Sequence, residues 1–542
     1  MIKSRLTTIG ILILLTFSLT NCGSGKGGRD VARNTNYDDL VTLFQEFREF
    51  RQTDHTEGVP DFSVPTMEKQ YREFKTYQDR LKAFNPTGWT VDEQIDFHLV
   101  RAEMNGFEFQ HRVLKPWAKD PCFYLDQMPS MWRLRRLPLD ADRLPEIKER
   151  FQEVPALFNQ AKNNLSNFAE VPGDLAILAL KRLNDLSLSL PEMKVRIGEF
   201  HPEFASEFDK VLESLADYKS WIEENQDEMT AMAGVGKENY DWLLKNVYMF
   251  PYTWEDCRTI VELEDNRVVT FQKLEENRNR HLPMNKPVTS QEEYKASVAD
   301  AIEHVMNFIR EEEIFTIEDY IETDSYFGSW HGFENPWPDH HDYFFNFSHR
   351  EPVMEETHEM VGHHFDDLRY SRDTRPIRGG RRPYKISTGR SEGFAFALEE
   401  LLMHAGYLDE RPRRGREIAY EQSAFRTVRA LADVYMHSGD WTLTEAMEFA
   451  VANAPHGELL DDSPHLWFEL ETTLRGVGHH MIMVVGKVQF MEVFRDRAQQ
   501  LGDDFVLKDF IDEYLEAGMI PQSLIRWQIT GYDDEIKELW QP

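Results

Sequence analysis

The segment Glu356–His364 constrains the fold most strongly, because it places three imidazoles and two carboxylates within about two helical turns. His358 and His363 are five residues apart. On a regular α-helix of about 3.6 residues per turn they would diverge by roughly 140°. A π-bulge, which inserts a residue and is common at functional sites, would bring them onto one face. We therefore predict a helix with a π-bulge here, with backbone freedom supplied by Gly362.

The residue types of this segment are those of a catalytic zinc site. A catalytic zinc takes three protein ligands and leaves one position open for water, whose pKa the metal lowers. We assign His358 and His363 as ligands. Glu359 is the expected general base, which takes a proton from the metal-bound water and returns it to the leaving group. His364 lies off the predicted ligand face, where it could touch substrate; the pair His358 and His364 is the alternative ligand assignment.

The third ligand is expected from a second helix. Apolar residues recur at helical spacing over residues 395–402, and Gly406 follows as a stop signal. Glu392 opens this helix and is the predicted third ligand of a single Zn²⁺. Acidic side chains that could orient a ligand histidine from behind are Glu399, Asp366 and Asp367.

These two segments resemble a bacterial family of helical proteins, domain of unknown function 885, whose members are commonly lipoproteins and are grouped with gluzincin-type zinc metallopeptidases. The family shows His-Glu-x-x-Pro-Gly-His-His and then Glu-Gly-Trp-Ala-Leu-Tyr-Ala-Glu, and residues 392–399 are similar to the second motif. The first motif lacks its proline here. The resulting His-Glu-x-x-Gly-His resembles the zinc motif of dipeptidyl-peptidase III enzymes, in which both histidines are ligands and the glutamate is the base. The resemblance covers about residues 40–535.

The resemblance implies a mainly α, multi-helix, metallopeptidase-like fold with a small β element near the active cleft. Residues 343–347, Tyr-Phe-Phe-Asn-Phe, are the best strand candidate. One departure concerns residues 478–486, where Met483 occupies the position of a family tyrosine. If that tyrosine donates to an oxyanion, His479 or His480 would have to replace it. We assign His480 as the second catalytic candidate; the alternative is that both histidines only flank a helix.

The charge balance argues against a nucleic-acid partner. The 542 residues include 95 acidic and 61 basic side chains, a net charge of −34, whereas nucleic-acid binding requires a basic footprint. The expected partner is a peptide or a small amide. A group of arginines between the two motifs could bind a substrate carboxylate or neutralise nearby acids. Its members are Arg375, Arg378, Arg381, Arg382 and Arg390.

The N-terminus predicts export. Lys3 and Arg5 precede an apolar run at residues 6–19 that is too short to span a membrane. Leu-Thr-Asn-Cys at residues 19–22 resembles the bacterial lipoprotein box. We therefore predict a signal peptide at residues 1–21 and a lipidated Cys22 with a flexible tether over residues 22–36. The protein is then expected on the bacterial cell envelope, facing the periplasm or the exterior; plain secretion is the alternative.

The remainder is predicted to form two helical halves. A proline-bearing break at residues 283–287 separates residues 37–285 from residues 286–542, which carry the metal site. Amphipathic helices are expected over residues 211–222, 260–271 and 507–516. The loop at residues 330–341 is expected to form a pocket wall, and its His331, His340 and His341 could instead bind a second metal. Cys122 and Cys257 could form a disulfide in an oxidising compartment.

These observations predict a zinc-dependent metallohydrolase, a peptidase that cleaves an amide bond with water activated by Glu359. Two alternatives remain open. One is a catalytically lapsed peptide-binding lipoprotein that retains the metallopeptidase fold, as Met483 and the missing proline suggest. The other is a hydrolase of a non-peptide amide or ester.

Overall fold

The computed structural model describes residues 36–52, 55–56, 59–128, 138–139, 141–323, 326 and 343–540. The regular structure of this part of the chain is almost entirely helical, so the prediction of a mainly α fold is confirmed. The predicted signal peptide, Cys22 and its tether, and the histidines of the 330–341 loop lie outside the described residues.

The helices surround a long central helix, α16, most of whose residues are buried. In chain order the helices are α1 (Tyr37–Phe50), α2 (Val64–Lys82), α3 (Val91–Phe109), α4 (Pro116–Lys119), α5 (Pro121–Asp126), α6 (Leu144–Asn164), α7 (Gly173–Phe200), α8 (Ala205–Asn225), α9 (Lys237–Leu243), α10 (Trp254–Asn279), α11 (Gln291–Glu311), α12 (Tyr343–Ser348), α13 (Val353–Glu356), α14 (Phe365–Tyr370), α15 (Thr388–Ala405), α16 (Gly415–Ser438), α17 (Leu443–Asn453), α18 (Pro464–Arg475), α19 (His479–Leu501), α20 (Leu507–Ala517), α21 (Gln522–Thr530) and α22 (Asp534–Leu539). Segments of π-helix follow α3, α9 and α13 at Gln110–Leu114, Leu244–Tyr248 and Thr357–His364. Single 3₁₀ turns lie at Ala141–Arg143, Phe168–Glu170, Pro202–Phe204, Gln226–Glu228, Pro455–Gly457 and Gly502–Asp504.

The helix ends follow local sequence signals. A capping box starts α10, where the Thr253 and Asp256 side chains each accept from the other's backbone N–H. Gly518 ends α20 with a φ of 93°, a conformation that disfavours side chains with a Cβ. The three predicted amphipathic helices are confirmed within α8, α10 and α20.

The predicted strand at residues 343–347 is wrong. These residues belong to α12, and the only strands in the described part of the chain are β1 (His55–Thr56) and β2 (Val59–Pro60), an antiparallel pair. A short, continuous apolar run does not distinguish a buried strand from a buried helix. Without polar residues between the apolar ones, the run shows neither the two-residue spacing of a strand nor the spacing of about 3.6 residues of a helix. Here Phe347 belongs to a helix, and its side chain is buried in one of the two hydrophobic cores.

Two hydrophobic cores hold the helices together, and each draws on both predicted halves. The first joins α1 and α3 to α10, α15, α19 and α21. The second joins α6, α7 and α8 to α16 and α18. Cys257 is buried in the first core and Cys122 in the second, and both are free thiols, so the suggested disulfide is absent. Within the described residues, no helix is long and apolar enough to cross a bilayer.

Two close helix contacts position the ligand-bearing segments. A Cβ at Gly393 of α15 would lie 2.6 Å from the Cα of Gly486 in α19. A Cβ at Gly362 in the π-helix would lie 2.9 Å from the Cα of Ala395 in α15. Such separations leave no room for a side chain. Helix α15 is therefore held tightly between the π-helix and α19.

Candidate metal centre

The π-helical segment was predicted from the spacing of two histidines, and the structure confirms it. Residues Thr357–His364 form a π-helix that continues α13 and leads into α14. The wider turn brings His358 and His363 onto one face, with their Nε2 atoms 3.1 Å apart. The expected reason for Gly362 is wrong, however. Its φ is not positive, and the glycine is required by the close approach of Ala395.

Glu392 on α15 points toward the same two histidines. Its Oε2 lies 3.7 Å from Nε2 of His358 and 3.5 Å from Nε2 of His363. This oxygen is buried and accepts no hydrogen bond from the described residues. A buried carboxylate oxygen without a donor is costly unless a cation or a donor occupies the adjacent space. The three predicted ligand atoms therefore meet at one point.

The dimensions of this triangle suit a zinc ion. The circle through three atoms separated by 3.1, 3.5 and 3.7 Å has a radius of about 2.0 Å, close to the ligand distances of about 2.0–2.2 Å found around zinc. Two imidazoles and one carboxylate are also a donor set found at catalytic zinc sites. The residues present thus fit a zinc ion in both chemistry and size.

His358 is oriented from behind by a buried ion pair. Its Nδ1 donates to Oε1 of Glu399 at 2.7 Å, and Arg426 of α16 donates to Oε2 of the same carboxylate at 2.8 Å. Both Glu399 and Arg426 are buried. This arrangement fixes the tautomer of His358 so that Nε2 presents a lone pair toward Glu392. The orienting contact predicted for Glu399 is therefore present, whereas no sequence pattern indicated Arg426.

His363 has an orienting partner of its own. Its Nδ1 lies 3.1 Å from the hydroxyl oxygen of Ser391, the residue that precedes Glu392. The π-helix and α15 are therefore joined by two side-chain contacts, one through each histidine.

The local field favours positive charge at this point. Burial and Arg426 lower the pKa of His358, but the nearby carboxylates of Glu392 and Glu399 outweigh them and raise it to about 10. Burial raises the pKa of Glu392, but the neighbouring His363 and His358 hold it well below its ordinary value. A divalent cation would occupy the same negative environment after displacing the imidazole proton.

Glu359 stands beside the two histidines with its carboxylate available. Its ligand atoms and those of His358 and His363 all lie within 4.8 Å of one another. The side chain is half-buried, and none of the described residues donates a hydrogen bond to it.

Two further carboxylates that sequence reasoning missed lie nearby. Burial and then Glu359 raise the pKa of Glu355 to about 7, and burial and then Glu355 raise that of Glu356 to about 8.

Two other histidine predictions have different outcomes. His364 turns away from the triangle: its Nε2 lies 3.3 Å from the backbone carbonyl of Glu322, so this histidine does not join Glu392. His480 is buried elsewhere, with Nε2 2.9 Å from Glu469 and Nδ1 2.6 Å from the Thr473 hydroxyl. Because both ring nitrogens are engaged, the predicted donor role of His480 has no free N–H to support it.

The arginine group neutralises acids of the fold. All five arginines form ion pairs with carboxylates of the protein. This agrees with the interpretation that the group neutralises nearby acids rather than binding a substrate carboxylate. Asp366 and Asp367, which were candidates to orient a histidine, are instead partners of these arginines. The pairs are Arg375–Asp373, Arg378–Asp96, Arg381–Asp367, Arg382–Glu103 and Arg390–Asp366.

A second histidine–carboxylate group lies at another place in the described structure. His456 is 2.7 Å from Glu421 and 3.5 Å from Glu276. Gln272 and Lys273 already donate to Glu276, at 2.9 and 3.0 Å. This group is therefore partly neutralised by the protein itself, unlike Oε2 of Glu392.

Two solved structures share this helical fold over most of the chain. One, from Shewanella oneidensis, is described as a predicted lipoprotein of unknown function; it has a TM-score of 0.66 and 16% identity and covers 91% of this chain and 99% of its own. The other, described as a predicted lipoprotein from Colwellia psychrerythraea, has a TM-score of 0.65 and 12% identity and covers 91% and 98%. At such identities the similarity establishes the fold alone. A search of curated proteins finds no match.

A family model matches the part of the chain that carries the candidate site. The family is described as a bacterial protein of unknown function, DUF885, and the match covers residues 336–529. This range contains the π-helix, α15 and α19. Residues 336–529 therefore match the model of this family, and the resemblance predicted from the two motifs is confirmed.

Proposed function

We propose that the protein is a zinc-dependent metallohydrolase that cleaves an amide bond, most simply in a peptide. The observation that carries the proposal is the meeting of His358, His363 and Glu392 around one point, with Oε2 of Glu392 buried and without a donor. The orienting pair of Glu399 and Arg426 supports it, because metal-binding histidines usually donate their other ring N–H to a carboxylate or a carbonyl.

The proposed chemistry divides between the metal and the chain. A bound zinc ion would supply a Lewis acid that polarises a carbonyl and lowers the pKa of water. In this proposal Glu359 takes the proton from the attacking water and delivers it to the leaving nitrogen. Glu399 would keep His358 in its ligand tautomer throughout, and the Ser391 hydroxyl would hold the ring of His363 in position.

The test is the substitution Glu359→Gln in the full chain. We expect zinc content, measured by mass spectrometry of the metal, to stay equal to that of the wild type, because Glu359 is not a ligand. We expect turnover of a peptide library to fall by about 10²–10⁴-fold, the usual contribution of a general base. Asp367→Asn is the matched control, since Asp367 is an exposed acid on α14 just beyond the π-helix. Unchanged turnover in Glu359→Gln would remove the proposed role.

A lapsed, peptide-binding relative is the second candidate function. Two observations favour it: Met483 is buried and offers no donor, and His480 is engaged with Glu469 and Thr473. This candidate predicts a wild-type protein that binds zinc and peptides but releases no product. The same library assay separates the two functions, because only a hydrolase would lose activity on removal of zinc by a chelator.

We further propose that the protein is anchored to the bacterial cell envelope through Cys22. The lipoprotein box supports this proposal, as do the two structural relatives, which are themselves described as predicted lipoproteins. The folded body would then act on substrates in the periplasm or at the exterior.

A further inference from the structure

A large cavity is lined in part by the turn that leads into α15, the helix that carries Glu392. It has a volume of about 780 Å³, within the range of roughly 300–1,000 Å³ that is typical of small-ligand sites. Its walls come from helices of both cores, including α3, α7, α18 and the turn before α15. Much of the wall is apolar, with Phe109, Leu178, Leu243 and Trp467 among the lining side chains.

Most charged side chains of this wall neutralise one another. Arg475 forms ion pairs with Asp120 and Glu471, both at 2.8 Å. Arg182 bonds Asp126 at 2.8 Å, and Lys181 bonds Asp185 at 2.6 Å. Because each of these charges already has a partner of opposite sign, these side chains are poor candidates to bind a charged ligand.

Lys385 is different. Its ammonium lines the cavity and donates to the backbone carbonyl of Gly476 at 3.2 Å, but it forms no ion pair with any described carboxylate. Burial lowers the pKa of Lys385 to about 8, while Asp433 and Glu392 act in the opposite direction. Along the chain, Lys385 lies in the turn that leads into α15, seven residues before Glu392.

We propose that the cavity binds the C-terminal end of a peptide, with the Lys385 ammonium holding the terminal carboxylate and the apolar wall holding the last side chain. A half-buried cation without a carboxylate partner is stabilised by an anionic ligand, and a carboxylate would complete its hydrogen bonds. This proposal rests on the proposed function for its substrate class.

Calorimetry with a matched pair of peptides tests the proposal. The protein is the full chain, loaded with zinc and carrying Glu359→Gln to prevent turnover. The ligands are acetyl-Ala-Ala-Phe and its C-terminal amide, which differ only in the charge of the terminus. We expect the acid to bind about tenfold or more tightly than the amide, the usual worth of a hydrogen bond to a charged group.

The variant Lys385→Met should abolish this preference without weakening binding of the amide, and Lys385→Arg should retain it. Lys119→Met is the matched control. Burial lowers the pKa of Lys119 too, and its ammonium likewise donates to a backbone carbonyl, that of Val113 at 3.5 Å, but Lys119 does not line this cavity. The control should keep the full preference for the acid.

Equal affinity for the acid and the amide would overturn the proposal. Binding of octanoate as tightly as the peptide acid would also overturn it, because octanoate has a carboxylate and an apolar chain but no peptide groups. Failure of the proposed function would look different. In that case the wild-type protein would not hydrolyse the peptide acid, yet the preference of the binding site for the acid, and its loss in Lys385→Met, would persist.

Discussion

At the scale of single residues, the ring of His358 is fixed on both sides. Nδ1 donates to Glu399, and Nε2 faces Glu392 and His363. Glu399 could be predicted from the sequence because it lies seven residues after Glu392, on nearly the same face of one helix. Arg426 could not, because it lies on another helix and only tertiary packing brings it to Glu399.

Lys385, like Arg426, could not be predicted from the sequence, because its contacts depend on tertiary packing. It follows Tyr384 in a turn, and both residues have a positive φ, 58° and 60°. No local motif marks a lysine as lacking an ion pair, since its partners are decided by the elements that pack around it. The cavity that it lines combines segments far apart in sequence.

The substitution Glu399→Gln should weaken zinc binding. The amide keeps the size of the side chain but removes the charge that holds the proton on Nδ1 of His358. Loss of such an orienting carboxylate typically costs about 10–100-fold in metal affinity. Competition against a zinc-binding dye measures the effect.

Glu469→Gln provides the comparison for this prediction. Glu469 is also buried and also contacts a histidine and an arginine, His480 at 2.9 Å and Arg429 at 2.7 Å. It should lower stability without changing zinc affinity. Equal losses of affinity in the two variants would assign the Glu399 effect to general destabilisation of the fold.

At the scale of helices, the π-helix is the element that the sequence predicted most directly. Two histidines five residues apart can share an ion only if the helix gains a residue. The neighbouring aromatic run at residues 343–347 was misassigned because its apolar residues fit a strand and a buried helix equally. Helical spacing was informative where polar and apolar residues alternate, as in α8 and α20.

The close contact of the π-helix with α15 makes Gly362→Ala destabilising. The added methyl group would lie 2.9 Å from the Cα of Ala395, so the two helices must separate. Overpacking of this kind costs about 1–3 kcal/mol. Urea denaturation measures the loss, and zinc content should fall with it because Glu392 would move away from His358 and His363.

Gly198→Ala is the matched control for that substitution. Gly198 lies inside α7, and no heavy atom lies within 4 Å of the position its Cβ would take. Alanine there should stabilise the protein by about 0.5–1 kcal/mol, because it restricts the unfolded chain and favours the helix. If Gly362→Ala were as well tolerated as Gly198→Ala, the close packing of the π-helix on α15 would be wrong.

At the scale of the whole molecule, the sequence predicted the fold class but not how the helices associate. The break at residues 283–287 suggested two halves, yet both hydrophobic cores combine early and late helices. Amphipathic patterns show which face of a helix is buried, but not which other helix covers it. That choice depends on the shapes of all the surfaces together.

Attachment of the molecule to a membrane can be tested at its predicted anchor. We expect the wild-type protein, expressed in a Gram-negative host, to incorporate labelled palmitate and to sediment with membranes. Cys22→Ser should abolish both, because acyl chains supply the binding energy of such anchors. Ser24→Ala, two residues further along, should retain both. Label in the Cys22→Ser protein would contradict the assigned acylation site.

The aromatic contacts of Trp540 join the two ends of the described chain. Its ring lies 5.6 Å from that of Phe97 and 5.0 Å from that of His98, both on α3. Because a polypeptide is synthesised from its amino end, the contact of Trp540 with α3 can form only after nearly all of the described residues have been made.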